Sequence, residues 1–455
     1  MRNKKPRSES KSAPFTQRKA PFKPKFPPKM DTLGIESKQK TKVSTVLDSF
    51  AALWLSLFQT PVHLDSALSK QPTHIKRILA QILPAILLKP VSLAEALGIG
   101  VPAGEPWSLD SQQLANWRPA RLMCERLYEM MVQRTLDVSV LSDDFPPAMV
   151  KEWQSNWSEA KSLELARLLA KEPPLSLRAS RKIGAQTLVK RLLERKLPVR
   201  VELSNLSPVG VRLSGYAPVL GTDEYQAGNF EIQDEGSQLM ALFALWPERY
   251  GSILQEAPGA IKNLELPPPP LPQNSAFTSI VDACAGAGGK SLAIADLVKG
   301  KGRVFAYDTS AKKLQALRRR ATRAGVNNIQ TVAVKEGFEN EVVESFKETA
   351  QVVLVDAPCS GWGVLRRNPD IKWRQPSEVL ERMPIIQARI LANYSGLVAP
   401  GGRLVFGVCT FRWAETRGVV EGFLRTHPDF IAQEGGFLGP GPCDGFFMQA
   451  FLRVK

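Results

Sequence analysis

At 455 residues and 50.2 kDa the chain is longer than one hydrophobic core usually organises, and ordinary domain sizes suggest roughly three units. Five cysteines with no CxxC spacing and only three histidines argue against a disulfide scaffold or a zinc site, and fit a reducing cytoplasm. A formal charge of +16 and a pI near 9.6 point to an anionic partner, either nucleic acid or a membrane surface.

Much of that charge is local. Residues 1–42 hold 13 Lys or Arg against three acidic residues, so this segment carries +10 and the other 413 residues only about +6. It is rich in Pro and Lys and poor in aliphatic residues, which predicts a disordered basic tail that attracts phosphates without reading sequence. Its prolines disfavour the amphipathic helix of a mitochondrial transit peptide, and no secretory signal is recognised. The apolar stretches Val46 to Phe58 and Ile78 to Leu88 fall short of the ~20 residues a bilayer requires, so no membrane partner is expected.

From 43 to 157 apolar residues recur at helical spacing, as in Leu79, Ile82, Leu83, Ile86 and Leu87, which predicts an all-helical unit. Residues 158–235 change character. A helix over Ser158 to Ala170 precedes the run PPLSLRAS, a basic helix spans Ile183 to Lys196, and short strands follow near Val199 to Leu203, Gly210 to Leu213 and Phe230 to Gln233. This order predicts a small α+β module. Its Arg178, Arg181, Lys182, Lys190 and Arg191 are candidates for phosphate contact, against the plainer reading of a solvated face.

Beyond a proline-rich loop at Glu256 to Ser275, residues 236–455 alternate buried strands with helices. The strands are read at Ile280 to Ala283, Arg303 to Tyr307, Ile329 to Val334, Val352 to Val355 and Arg403 to Val408, which predicts an α/β fold with a doubly wound, mostly parallel sheet. In such a sheet ligands bind at the carboxyl ends of the strands. The first strand runs into the glycine-rich turn DACAGAGGK (Asp282 to Lys290), whose backbone can approach a ligand closely; dinucleotides, S-adenosylmethionine or a purely structural turn all fit it. The second strand ends in Asp308, placed to accept hydrogen bonds from ribose hydroxyls or to cap the next helix.

The fourth strand opens into DAPCSGWGVLRRNPDIKW, which compresses a carboxylate, a thiol, two arginines and two indoles into one loop. Asp356 could bond a base edge, Arg366 and Arg367 could hold phosphates, and Trp362 or Trp373 could stack on a base, although core packing is the plainer reading of each indole. Cys359 in this loop and Cys409 in VFGVCTF both follow buried strands. A thiolate there would be a strong nucleophile, whereas an isolated cysteine more often fills a core.

These ordered motifs, from about Ser162 to Lys455, resemble the RNA cytosine-5 methyltransferases of the RsmB/Nop/Sun family, and within it the RsmB type acting on small-subunit rRNA. PPLSLRAS and IQDEGSQL resemble the family's N-terminal and opening motifs, DACAGAGGK its S-adenosylmethionine loop, DAPCSGWGVLRRNPDIKW its Pro-Cys loop, VFGVCTFRWAE its second cysteine motif and DGFFMQAFLR its closing strands. Residues 43–157 resemble the NusB-like RNA-binding domain. The resemblance implies a Rossmann-like class I methyltransferase domain that methylates C5 of a cytosine in RNA, most of all 16S rRNA or a small-subunit assembly intermediate, as a monomer with S-adenosylmethionine and no metal. It implies Cys409 as the thiolate that adds to C6, Cys359 as the assistant in release, and Asp356 at the N3 edge of a flipped or unpaired base. It assigns the cosubstrate to Cys284, Ala285, Gly286, Ala287, Gly288, Gly289, Lys290, Asp308 and Asp356, with Glu336 standing where the family carries an adenine-contacting Asp. Val408 and the run Glu415, Thr416, Arg417 also depart from the family pattern. Two competing readings follow: DNA cytosine methylation, in which Cys359 would attack, and an RNA-binding ribosome-assembly factor whose catalysis has drifted.

Overall fold

The computed structural model describes residues 43–454, apart from 60–63, 103–104, 133–144, 216, 262–267, 269, 272–276, 299–301, 336–343, 345 and 374–376. The basic segment 1–42 and Glu336 therefore lie outside the described residues.

The helical periodicity after residue 43 produces helices Val43–Gln59, Leu64–Ser69, Thr73–Leu88, Pro90–Ala96, Ser111–Ala115 and Arg118–Val132. Their apolar stripes meet in one core, where Phe50, Trp54, Leu57, Leu79, Ile82 and Ile86 are buried. No single helix among the described residues is long and apolar enough to cross a membrane.

That core is completed from far along the chain. Trp373 closes the short 3-10 helix Pro369–Trp373 in the loop that carries Cys359, and its ring lies 5.7, 6.0, 5.0 and 5.8 Å from those of Trp54, Phe58, Trp107 and Trp117. Its indole N–H donates to the Leu87 carbonyl at 2.9 Å, so both the apolar body and the polar tip are satisfied. Beside it, Lys372 Nζ stands 4.0 Å over the Phe145 ring. Helices Pro147–Asn156 and Glu159–Leu169 pack differently: Met149, Trp153, Leu165 and Leu169 are buried with the residues of the large sheet rather than with the helical core.

Next comes a four-stranded antiparallel sheet of β1 (Leu175–Ala179), β2 (Val201–Leu203), β3 (Gly210–Leu213) and β4 (Phe230–Ile232), in the order β2-β3-β1-β4. β1 lies inside the PPLSLRAS run. Helix Ala185–Glu194 buries Ala185, Leu188 and Leu192 against Leu177, Val211, Leu213 and Phe230. Glu231 of β4 ties this sheet to helix Ala311–Ala324, accepting from Arg320 NH2 at 3.0 Å and from Arg323.

The large sheet contains β5 (Ser279–Asp282), β6 (Arg303–Asp308), β7 (Ile329–Ala333), β8 (Ala350–Asp356), β9 (Val398–Val408), β10 (Phe430–Leu438) and β11 (Phe446–Arg453), in the order β10-β11-β9-β8-β5-β6-β7. β5 to β9 run parallel, and β11 and β10 complete the edge antiparallel. The parallel strands are apolar on both faces because helices cover both, among them the almost wholly buried Glu235–Leu245. The chain winds outward through β6 and β7 and restarts on the other side of β5 with β8, so the switch point lies between β5 and β8, where such sheets open a ligand crevice.

Trp373→Ala is expected to destabilise the protein by roughly 3–5 kcal/mol, the range for deleting a buried indole, with Trp373→Phe recovering part of the loss. Urea unfolding followed by circular dichroism measures this; a loss below about 1 kcal/mol would mean that the helical core closes without its plug.

Candidate active site

The glycine-rich turn after β5 is fixed by the end of β6. Ala285 N–H donates to the Tyr307 carbonyl at 2.8 Å, and Gly286 N–H donates to Asp308 Oδ2 at 2.8 Å. The other oxygen of Asp308 accepts the Ser310 N–H at 2.7 Å, while Ser310 itself caps helix Ala311–Ala324. Asp308 thus pins the turn and does not cap the helix, leaving its half-buried carboxylate beside Gly286.

Two glycines there have distinct reasons. Gly288 sits at φ +86° and caps helix Gly289–Leu297, and a Cβ on it would collide with Leu317. Gly286 sits at φ +56°, and a Cβ on it would meet nothing within 4 Å, so the turn borders open space. Cys284 is half-buried, Ala285 buried and Ala287 exposed, with the Ala287 carbonyl accepting from Arg320 NH1 at 2.6 Å. Gly289 is half-buried beside Gln233.

Lys290, in the first turn of the helix, links this turn to the thiol loop. Its Nζ donates to Asp356 Oδ2 at 2.5 Å, at the end of β8. Burial draws the Lys290 pKa down, but the charge and hydrogen bond of Asp356 outweigh it and leave the ammonium held above its ordinary value. Behind them Asp282 is buried; desolvation raises its carboxyl to about 6, opposed by the Ser291 hydroxyl that donates to it at 2.6 Å.

Parallel pairing sets Asp356 opposite Gly407, and the two strands then deliver their loops side by side. Cys359 Sγ and Cys409 Sγ are 3.3 Å apart, both partly buried. Their neighbours are joined as well: the Ser360 and Thr410 hydroxyls are 2.7 Å apart, and Gly363 N–H donates to the Cys409 carbonyl at 2.9 Å. The hydrogen bond with Cys409, then burial, then the Cys409 charge push the Cys359 thiol well above its ordinary pKa. The two sulfurs lie within hydrogen-bond reach of each other, and either can be the donor.

The site joins the turn Cys284 to Lys290, Asp308, Asp356, Cys359 and Cys409 along one edge of the sheet. Two expectations about basic residues need correction. Arg366 and Arg367 do not face outward toward phosphates: Arg366 donates to Asp444 Oδ1 at 3.2 Å and the Gly441 carbonyl at 2.7 Å, and Arg367 to Asp444 Oδ2 at 2.6 Å and Asp234 Oδ2 at 2.8 Å. Burial, with Asp234 nearby, lifts the Asp444 carboxyl to about 6 despite both arginines. Arg178 is likewise internal, donating to Gln233 Oε1 at 2.7 Å with Asp296 at 3.6 Å, whereas Arg181, Lys182, Lys190 and Arg191 are exposed. Trp362 and Trp373 are core residues, as the plainer reading had it.

Sequence reasoning missed the part played by Glu415, which appears in the motif only as a departure from pattern. It is fully buried. Its Oε2 accepts from Ser360 N–H at 2.8 Å and Gln387 Nε2 at 2.9 Å, and its Oε1 from Arg412 NH1 at 3.0 Å. A carboxylate six residues beyond a candidate nucleophile was the available signal.

Known proteins resemble this chain in sequence and in fold. Residues 271–440 match the family described as 16S rRNA methyltransferase RsmB/F. The chain is 32% identical over 291 residues to a probable ribosomal RNA small subunit methyltransferase B of Bacillus subtilis, covering 63% of this chain and 57% of that one. It is 27% identical over 384 residues to a protein of the same description from Synechocystis, covering 83% and 78%. The match thus spans a little over half of the Bacillus protein. Among solved structures, NSun6 from Pyrococcus horikoshii, determined with SFG, aligns with a TM-score of 0.55 at 16% identity over 68% of this chain and 99% of that one, a likeness of fold. The matched segment lies on the mostly parallel sheet and holds Asp308, Asp356, Cys359 and Cys409, so in this domain the chain is similar to the RsmB/F methyltransferases.

Proposed function

We propose that this protein methylates C5 of a cytosine in small-subunit rRNA, either free or in an assembly intermediate, with S-adenosylmethionine as methyl donor and a transient bond between Cys409 and C6. The observation that carries the reading is the pair of thiols 3.3 Å apart, one of them held protonated, beside the Lys290–Asp356 pair. The names of the relatives support rRNA as the substrate class.

The residues of the turn fit the cosubstrate. The open space over Gly286 admits a ligand against bare backbone, and Asp308 offers a carboxylate suited to ribose hydroxyls. When bound, S-adenosylmethionine supplies an electrophilic methyl group. The chain's own residues supply the rest. C5 of cytosine is a poor nucleophile, so Cys409 first adds to C6, converting the ring to an enamine whose C5 carries electron density. Addition of the thiolate places negative charge on N3, which the Lys290 ammonium offsets while Asp356, bonded to it at 2.5 Å, contacts that edge of the base. Once C5 is methylated, its proton must leave before Cys409 Sγ can depart from C6 and the ring double bond can re-form.

The coupling of the thiols times that last step. Cys359 is kept protonated chiefly by its hydrogen bond to Cys409 and in part by the charge of Cys409. Bonding of Cys409 to C6 consumes that charge and weakens the acceptor. The Cys359 pKa then falls, and the second thiol becomes able to assist proton release only after the adduct exists.

Three measurements follow. Cys409→Ala is expected to abolish methyl transfer, and Cys359→Ala to leave a denaturation-resistant protein–RNA adduct on gels; turnover by Cys409→Ala would overturn the assignment and return attention to Cys359 as attacker. Asp308→Ala is expected to weaken S-adenosylmethionine binding in calorimetry by about ten-fold or more, hydrogen bonds to a charged group being worth ~1.5–3 kcal/mol, and an unchanged affinity would remove Asp308 from the cosubstrate site. Deleting residues 1–42 should weaken RNA binding and flatten its salt dependence without moving the modified nucleotide in bisulfite mapping of total RNA; a shifted site would show that the segment reads sequence or shape.

A further inference from the structure

The loop that presents Cys359 is held on both sides of the thiol, and both holds converge on one buried group. On one side, Gln387 Nε2 donates to the Pro358 carbonyl at 2.8 Å; on the other, Ser360 N–H donates to Glu415 Oε2 at 2.8 Å. The same Gln387 nitrogen also donates to Glu415 Oε2 at 2.9 Å, so the two holds share an oxygen. Glu415 itself belongs to the segment that follows Cys409, and its other oxygen accepts from Arg412, which in turn donates to Glu152 at 3.0 and 3.1 Å. The carboxylate thus stands between the two thiol-bearing loops, tied to both.

We propose that Glu415 is a positioning residue for this reaction: it clamps the Cys359 loop to the Cys409 loop and thereby fixes where the second thiol stands when the methylated base must be released. The proposal rests on the cytosine-5 reading given above. Glu415 touches neither the base nor the cosubstrate in this role. It acts through Ser360 and Gln387 on the backbone flanking Cys359, and its buried charge adds to the influences that raise the Cys359 pKa. Its bonds run to the backbone beside Cys359, to Gln387 and to Arg412, so its influence bears on the position of Cys359 in the step after methylation rather than on the attack by Cys409. The residue should therefore matter to adduct breakdown far more than to adduct formation.

Glu415→Gln preserves the shape and leaves Arg412 paired with Glu152, so no buried cation is stranded, but one amide N–H must then face a donor. In single-turnover experiments with rRNA and S-adenosylmethionine, this variant is expected to form the covalent adduct within about three-fold of the wild-type rate and to resolve it at least ~10-fold more slowly. S-adenosylmethionine affinity should remain unchanged in calorimetry. Gln387→Leu, which cuts the other side of the clamp, should slow the same step to a smaller extent, and Glu415→Asp should recover part of the rate.

A second readout does not depend on turnover. In a Cys409→Ser background, alkylation of Cys359 by iodoacetamide, followed across pH by peptide mass spectrometry, should have its midpoint lowered by about half a unit or more when Glu415→Gln is added, since removing a neighbouring negative charge favours the thiolate. Wild-type adduct lifetime in Glu415→Gln with an unmoved alkylation midpoint would overturn the proposal. So would a parallel decline of adduct formation, breakdown, cosubstrate affinity and melting temperature, which marks a merely structural residue. If Cys359→Ala itself leaves no persistent adduct, the cytosine-5 reading fails, while the alkylation midpoint still decides whether Glu415 governs Cys359.

Discussion

The parallel pairing of β8 with β9 is the constraint on which the site depends. Asp356 and Gly407 are partners across the strands; Cys359 lies three residues beyond the first and Cys409 two beyond the second. The register therefore brings two sulfurs and a carboxylate to one edge. A slip of one residue would turn alternate side chains to the other face and separate the thiols, whatever the loops did afterward. The neighbouring pairing of β5 with β8 sets the other half, because Lys290 reaches Asp356 only when the helix after β5 starts beside the end of β8.

Around that edge, positive charge is used mainly as internal mortar. Arg178, Arg320, Arg323, Arg366, Arg367 and Arg412 are all ion-paired to carboxylates of other elements, and most of these pairs are largely buried. Such pairs gain little net stability over apolar packing, but removing one partner leaves a costly bare charge. They fix how segments seat against one another rather than drawing in an anion. The exposed basic residues lie elsewhere, on Arg181, Lys182, Lys190 and Arg191 beside the small sheet and on Lys312, Lys313, Arg318 and Arg319 of helix Ala311–Ala324.

The contrast explains what was legible in the sequence. The central strands β5, β6, β8 and β9 were readable because strands buried on both faces are apolar runs with few other readings, and helix Ala311–Ala324 because its stripe and caps agree. β1 was not, since a proline pair leads it, and β10 was not, since its middle residues face solvent. The positions of Cys359 and Cys409 were readable from motif order, but their 3.3 Å separation was a product of strand pairing. Arg366 and Arg367 misled because sequence displays charge and hides partners: Asp444 is 77 or 78 residues away from them, and Asp234 is 133 from Arg367. Glu415 was noticed as an irregularity of motif, although it carries the bonds that join both thiol loops.

Trp373 has a consequence for how the molecule is made. The helices up to Val132 build a core whose central slot, between Trp54, Trp107 and Trp117, is filled by a residue about 240 positions later, so at ~5–20 residues per second translation leaves that slot without its plug for roughly ten to fifty seconds. During that interval the ring contacts that Trp373 makes with Trp54, Phe58, Trp107 and Trp117 cannot form. Synthesis of the thiol loop supplies that ring, so the N-terminal helices reach their final packing only as that loop emerges.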